Sequence, residues 1–89
     1  MSTLDDYLLF LQSKGFFFKE DNIGFIYFGK ALTNANDELS MAAIEYTLKI
    51  QKSFDGSFYV SLLEMFMNNK LKTKKQAFHF MRNNELFPL

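Results

Sequence analysis

The middle of the chain alternates apolar and polar side chains. In residues 44–51 every second side chain is apolar, the apolar ones being Ile44, Tyr46, Leu48 and Ile50. A period of two is typical of a strand with one face in water. Asp55-Gly56 follows, and both residues tolerate the positive φ of a two-residue type I′ turn. The pattern predicts a β-hairpin whose second arm is the almost wholly apolar segment 57–67.

A helix is the alternative for residues 44–51. On a helical wheel the stretch has two opposed apolar stripes, one formed by Ala43, Tyr46 and Ile50 and the other by Ile44 and Leu48. Such a helix must be packed between two layers, which is a demanding arrangement in a small domain. We therefore favour the hairpin here. Residues 57–67 also suit a buried helix capped by Ser57, and that alternative stays open.

An aromatic segment earlier in the chain predicts a first hairpin. Residues 16–20 and 23–28 flank Asp21-Asn22, an acceptable turn pair. In this hairpin Phe18 opposes Phe25 and Phe16 opposes Tyr27 on one face, whereas Phe17 opposes Ile26 on the other. Both faces are apolar, so either both are covered within the domain or one is a docking surface. The residues that we expect to bind a partner there are Phe17, Phe25 and Tyr27.

The N-terminal segment carries the signals of a helix. Ser2 or Thr3 is suited to cap it, and Asp5 and Asp6 lie in its first turn, where the helix dipole favours acids. Four apolar residues then recur at helical spacing, and Gly15 is placed to end the helix. The four residues are Leu4, Tyr7, Leu8 and Leu11. Leu9 and Phe10 lie off this stripe, so we expect the helix to be covered on more than one side.

A second helix is predicted at the C-terminus. Thr73 and Gln76 have capping-box spacing, and Pro88 prevents continuation beyond Asn83-Asn84. Residues 29–38 contain a polar cluster typical of a loop, although Asn36 could instead cap a short helix over 39–43.

The predicted element order is α-β-β-β-β-α in a single domain covering residues 1–89. This order favours an α+β fold, an antiparallel four-stranded sheet with N- and C-terminal helices. The alternative is a mostly helical fold with one N-terminal β-hairpin.

Composition adds an expectation about partners and location. The chain has 12 Phe, 4 Tyr and no Cys in 89 residues, and 48% of it is hydrophobic. A core this small does not readily absorb so many aromatic side chains, so we expect some to face a partner protein or a second copy in a homodimer. Disulfides are excluded, the N-terminus is acidic, and no apolar run could span a membrane. We expect a cytoplasmic protein with no membrane association.

Enzymatic chemistry has little support in the sequence. His79 is the only histidine and is surrounded by basic residues, which suits neither metal binding nor proton abstraction. The polar cluster at residues 34–38 lacks calcium-loop spacing, and the four glycines are too scattered to hold a phosphate. We expect no catalytic residue, no metal and no cofactor.

The basic C-terminal segment is the strongest polar feature. Residues 70–89 hold five basic residues against one acidic residue, whereas residues 1–69 hold five against nine. An acidic protein surface or a nucleic acid would suit this segment, but the net charge is zero and a single Arg is present, which weakens the nucleic-acid interpretation. The predicted basic face comprises Lys70, Lys72, Lys74, Lys75, His79 and Arg82.

These observations predict a small non-enzymatic protein-binding module that acts as an inhibitor or adaptor. Its size and kind favour an origin in a phage or another mobile element. The alternative is a nucleic-acid-binding regulator that uses the basic C-terminal helix.

Overall fold

A computed structural model describes residues 3–84, and every regular element in that range is an α-helix. The five helices are α1 (Leu4–Ser13), α2 (Glu20–Thr33), α3 (Asp37–Gln51), α4 (Gly56–Asn68) and α5 (Lys74–Asn83). The predicted four-stranded sheet is therefore wrong, and so is the N-terminal hairpin of the alternative. Ser2 and Pro88, to which the sequence analysis gave roles, lie outside the described residues. None of the helices described is long and apolar enough to cross a membrane.

The alternating stretch is the second half of the central helix. α3 packs against all four other helices, so apolar residues are useful on both of its sides. Ile44 and Tyr46 are buried, and Thr47, a polar position of the alternation, is fully buried as well. The Thr47 hydroxyl donates to the carbonyl oxygen of Ala43 at 2.6 Å. The arrangement between layers that made a helix look demanding is the one that this chain adopts.

The Asp55-Gly56 pair begins a helix instead of forming a hairpin turn. The Asp55 carboxylate accepts a hydrogen bond from the backbone N–H of Phe58 at 3.1 Å, which makes it the N-cap of α4. Gly56 is the first residue of α4 and does not have positive φ. The helical alternative for residues 57–67 is confirmed, with Asp55 as the cap in place of Ser57. Its buried side chains are Tyr59, Leu62, Leu63 and Phe66.

The local helix signals near the two ends of the chain are confirmed. Thr3 and Asp6 form a capping box on α1, and Thr73 and Gln76 form one on α5. Gly15 has φ +94°, and the N–H after it, on Phe16, donates to the carbonyl of Leu11 at 2.9 Å. That pattern is a Schellman ending, which glycine favours.

The polar segment between α2 and α3 is much shorter than predicted. Asn36 caps α3, since its side-chain oxygen accepts from the N–H of Leu39 at 2.9 Å. The capped helix runs on to Gln51, well past the short segment over 39–43 that the sequence suggested. Asp37 and Glu38 lie in its first turn, where negative charge is favourable.

The aromatic segment forms helix α2, with Asp21-Asn22 in its first turn. α2 packs most extensively on α4, and only Ile26 and Gly29 are fully enclosed. The buried Tyr59 hydroxyl donates to the carbonyl oxygen of Ile26 at 2.7 Å. A Cβ on Gly29 would lie 2.9 Å from the Tyr59 ring and 3.0 Å from Val60, so a glycine permits the two helices to approach.

Gly29→Ala is expected to destabilise the fold by about 1–3 kcal/mol, because the added methyl group forces the packed helices apart. The matched control is Gly24→Ala in the same helix, where an added Cβ would meet nothing within 4 Å. That control should raise stability by about 0.5–1 kcal/mol through helix propensity. Urea denaturation of dilute protein measures both changes. Equal effects of the two substitutions would contradict the close packing of α2 on α4.

Candidate aromatic interface

The exposed large apolar side chains of the described residues all lie between positions 9 and 32. They come from the outer side of α1, the α1–α2 loop and α2, and we call them the aromatic surface. Its eight members are Leu9, Phe10, Phe16, Phe17, Phe25, Tyr27, Phe28 and Leu32. Isolated exposed apolar residues are ordinary on a protein surface, but a contiguous group marks a binding site or an aggregation hazard.

One part of this surface is a groove between α1 and α2. It has a volume of about 380 Å³ and is lined by Asp5, Leu8, Leu9, Gln12, Phe16, Phe17, Phe18, Ile23 and Tyr27. The polar side chains of the lining are Asp5 and Gln12 of α1. The Tyr27 hydroxyl donates a hydrogen bond to the Asp5 carboxylate across the groove. This contact bridges α1 and α2 while the apolar lining stays accessible. We call this feature the α1–α2 groove.

A second part is the outer face of α2. Phe10 belongs to neither part, and the centre of its ring lies 5.6 Å from the Lys14 ammonium. Phe25, Phe28 and Leu32 are exposed on the outer face, together with the small residues Gly24 and Ala31. The exposed positions from 24 to 32 carry no charge. α2 is consequently apolar on nearly all sides, and this is why its sequence resembled a hairpin with two apolar faces.

The three aromatic residues that the sequence singled out all lie on this surface. Phe17 is the most exposed at 77%, and Phe25 and Tyr27 are each 38% exposed. The hairpin meant to present them does not exist. Phe17 precedes α2, and both Phe17 and Tyr27 line the groove, whereas Phe25 lies on the outer face of α2 and contacts the start of α4 near Gly56.

Sequence reasoning missed the five other members of the surface: Leu9, Phe10, Phe16, Phe28 and Leu32. Leu9 and Phe10 were expected to be covered, but they are 65% and 53% exposed. Their position off the α1 stripe was the available signal. An apolar residue off the core stripe of a helix is either covered by a second layer or left on the surface, and the sequence does not distinguish these cases.

Lys74, the central residue of the predicted basic face, makes contacts within the chain. The Lys74 ammonium lies 3.4 Å from a carboxylate oxygen of Glu45 and 4.8 Å from the centre of the Tyr7 ring. The backbone N–H of Lys74 donates to the Glu38 carboxylate at 2.9 Å. These contacts join α5 to α1 and α3, so Lys74 has a structural role.

The remaining basic residues are exposed but divide between two shallow depressions. Lys70 and Lys72 line one between α4 and α5, beside Asn34 and Asn36. Arg82 lines another, which also contains Glu45 and Lys49. Lys75 is exposed on α5, and the His79 ring contacts the Asn83 side chain at 2.7 Å. The basic segment thus does not form one continuous cationic groove.

Polar chemistry is sparse in the part of the chain that the structure describes. Residues 3–84 contain no cluster of three or more His, Cys, Asp or Glu side chains that could hold a metal ion. Burial raises the pKa of Tyr59 to about 12, and burial together with the neighbouring Glu45 carboxylate raises the pKa of Tyr7 above its ordinary value. Both phenols are neutral at physiological pH and serve packing.

Comparison with known proteins adds a family to this description. A family model described as "Family of unknown function (DUF6123)" matches residues 1–87. The chain belongs to that family. No curated protein and no solved structure matches it.

Proposed function

We propose that this DUF6123 member is a small, non-enzymatic, cytoplasmic protein-binding module. Its α1–α2 groove receives the apolar face of an amphipathic helix from a partner protein, and the module acts as an inhibitor or adaptor by covering that helix. The observation that supports the proposal most strongly is the confinement of all eight exposed large apolar side chains of the described residues to positions 9–32.

The exposed lining of the groove suits a single bound helix. Four exposed large side chains line it, and at about 200 Å² each and roughly half exposure they present on the order of 400 Å². The four are Leu9, Phe16, Phe17 and Tyr27. This is about half of the roughly 800 Å² that a standard interface takes from each partner. Phe and Tyr also lose little conformational entropy on binding, which makes them effective anchors.

The shape of the groove favours a helix as the bound segment. It lies between two helices, and its lining is apolar apart from Asp5 and Gln12. Amphipathic helices bind such grooves through apolar residues spaced one helical turn apart. The Asp5 carboxylate gives one end of the groove a negative charge, which favours a helix with a basic residue at that end.

The basic residues stand apart from this groove. Tyr7, which contacts Lys74, lies on the opposite side of α1 from Leu9 and Gln12. An acidic partner surface would therefore meet the molecule on a different side. We assign partner recognition to the groove because the basic residues are dispersed and Lys74 is engaged within the chain.

Phe17→Ser is expected to lower partner capture at least about tenfold, because exposed aromatic anchors dominate binding energy at interfaces. The tagged full-length chain serves as bait in nuclease-treated lysate of its source cell, and captured proteins are quantified. The matched control is Lys75→Ser, an exposed change on α5 that should leave capture unchanged. A photo-crosslinking residue at Gln12 should attach to the same captured protein and identify the segment bound in the groove.

Two results would overturn this function. Loss of capture with Lys75→Ser but not with Phe17→Ser would transfer recognition to the basic residues. Capture that disappears after nuclease treatment would indicate that the chain binds nucleic acid.

A further inference from the structure

The Tyr46 hydroxyl has no hydrogen-bond partner among the residues that the structure describes. The other three tyrosines each donate to an acceptor within the chain, and these are Tyr7, Tyr27 and Tyr59. Tyr46 is only 3% exposed, and the hydroxyl of a buried tyrosine usually finds a partner. Its oxygen is not enclosed, because in residues 3–84 the only enclosed side-chain polar atom without a partner is the Ser40 hydroxyl. The Tyr46 hydroxyl is therefore a free donor that reaches an accessible space.

That space is the depression between α3 and α5. It has a volume of about 340 Å³ and is lined by Glu45, Tyr46 and Lys49 of α3 and by Phe78 and Arg82 of α5. Lys49 follows Tyr46 by three positions and Arg82 follows Phe78 by four, so each helix presents its pair on one face. The Tyr46 and Phe78 rings pack edge to face with their centres 5.2 Å apart. The two helices thus bring a phenol, two cations and an aromatic ring to one opening.

The charged groups that act on the Tyr46 hydroxyl are the three that line the depression. Burial raises the pKa of the Tyr46 phenol above its ordinary value, the Arg82 and Lys49 cations oppose that rise, and the Glu45 carboxylate adds to it. The hydroxyl consequently lies within the field of both cations. It stays protonated at physiological pH and is able to donate a hydrogen bond.

The depression carries an excess of positive charge. Arg82 makes no ion pair with any residue in the range 3–84. Glu45 is shared between two lysines, because its carboxylate oxygens lie 3.1 Å from the Lys49 ammonium and 3.4 Å from that of Lys74. Three cations against this one carboxylate leave a net charge of +2 around the opening.

We propose that the depression between α3 and α5 binds phosphate monoesters. The Arg82 guanidinium, the Lys49 ammonium and the Tyr46 hydroxyl donate to the phosphate oxygens, and the organic part of the ester lies against Phe78. A phosphate monoester carries a charge of about −1.5 to −2 at pH 7 and three strong acceptor oxygens. It therefore fits both the net charge and the three donor groups. The fork of a guanidinium also suits bidentate hydrogen bonding to phosphate.

Other anions fit this depression less well. A carboxylate has one charge and two oxygens, so it leaves one positive charge and one donor unused. Each phosphodiester of a nucleic acid also has a single charge, and the basic residues form no continuous groove that could follow a strand. Sites for small ligands begin at about 300 Å³, so the volume suits a small phosphorylated molecule or one phosphorylated side chain of a protein. Both sources supply the same monoester.

Titration of ¹⁵N-labelled full-length protein with phenyl phosphate, followed by two-dimensional NMR, tests the site. Amide shifts should concentrate in α3 and α5 around the depression, with a dissociation constant on the order of 1 mM, as a few exposed polar contacts provide. Arg82→Gln should weaken binding at least about tenfold, because charge-assisted hydrogen bonds are lost. The matched control Lys75→Gln removes the same charge from an exposed position of α5 outside the depression. It should change the dissociation constant by less than about twofold.

Tyr46→Phe isolates the contribution of the hydroxyl. Binding of phenyl phosphate should weaken about tenfold, because a hydrogen bond to a charged group is removed. Urea denaturation should show unchanged stability, since the hydroxyl bonds to no residue in the range 3–84. Undiminished binding would overturn the role of the hydroxyl, and a large loss of stability would overturn its assignment as a free donor.

Comparison of ligands tests the phosphate class. Phenyl sulfate has the same ring and three oxygens but a single charge, so it should bind at least about fivefold more weakly than phenyl phosphate. Inorganic phosphate should shift the same amides, which shows that the phenyl ring does not direct binding. A phosphoserine peptide that binds more tightly than phenyl phosphate would assign the site to a phosphorylated protein, and a weaker one to a small molecule.

Three results would overturn the proposal. They are no localised shift at about 20 mM phenyl phosphate, equal binding of phenyl sulfate, and shifts confined to the α1–α2 groove. The groove and the depression share no lining residue. Partner capture by Arg82→Gln should therefore equal that of the parent, which keeps this test independent of the proposed function.

Discussion

Thr47→Asp is expected to abolish cooperative folding. Thr47 has no exposed surface, and its hydroxyl is satisfied by the carbonyl of Ala43 within α3. An aspartate there would place an unpaired carboxylate in the centre of the molecule, where α3 contacts all four other helices. Burying such a charge costs several kcal/mol or forces its protonation. Because a domain of this size has about 5–10 kcal/mol of stability, most of the folded population should be lost at neutral pH.

Two controls make this prediction specific. Thr47→Val keeps the shape and loses only the local hydroxyl contact, so it should change stability by less than about 1 kcal/mol. Gln51→Asp introduces the same carboxylate one turn later at an exposed position, and it should be tolerated within about 0.5 kcal/mol. Urea denaturation followed by circular dichroism measures all three. In the hairpin interpretation Thr47 is on the wet face, and a Thr47→Asp variant as stable as its parent would support that interpretation.

The failure of that interpretation has a physical cause. Period-two alternation separates the two faces of a strand, but a helix covered by neighbours on several sides needs apolar residues in several directions. Ile44 and Leu48 supply apolar side chains on one side of α3, while Tyr46 and Ile50 supply them on another. The alternation arises because α3 has helices packed on several sides. How many helices pack on it is a property of the tertiary structure, which the local sequence does not contain. The hydroxyl of Thr47 adds to the ambiguity, because bonding to its own backbone lets a polar residue be fully buried.

Signals that depend only on local backbone geometry were predicted well. The cap at Thr3, the capping box at Thr73 and the helix ending at Gly15 follow from residues within a few positions of each other. Asp55-Gly56 shows the limit of such signals, because aspartate suits a helix cap as well as a turn. Which one forms depends on whether residues 57–67 find a helical partner, and they find α3 and α2.

The sequence predicted that an exposed aromatic surface exists, but it did not predict which residues form that surface. The surplus of Phe and Tyr indicated an exposed aromatic surface, and the structure has one. Its membership depends on the orientation of α2, which Gly29 and Ile26 fix by packing on Tyr59. No spacing in the sequence distinguishes that face of α2 from the equally apolar outer face. Phe28 and Leu32 were missed for this reason.

Phe66→Ala is expected to lower the free energy of unfolding by about 3–5 kcal/mol, half or more of the total for a domain of this size. Phe66 lies in α4 with no exposed surface, and the surrounding helices can only partly collapse into the cavity. Phe17→Ala removes the same atoms from a side chain that is 77% exposed. It should change stability by no more than about 0.5 kcal/mol.

The comparison of these two variants separates core aromatics from interface aromatics. Both remove one phenyl ring, so a difference of several kcal/mol in urea denaturation reports burial alone. Phe17→Ala should weaken partner capture while leaving the fold unchanged, because a ring that contributes little to folding is free to contribute to binding. A loss of stability at Phe17 as large as that at Phe66 would mean that the loop before α2 closes over the core. The aromatic surface would then lose its most exposed member, and the groove its role in binding.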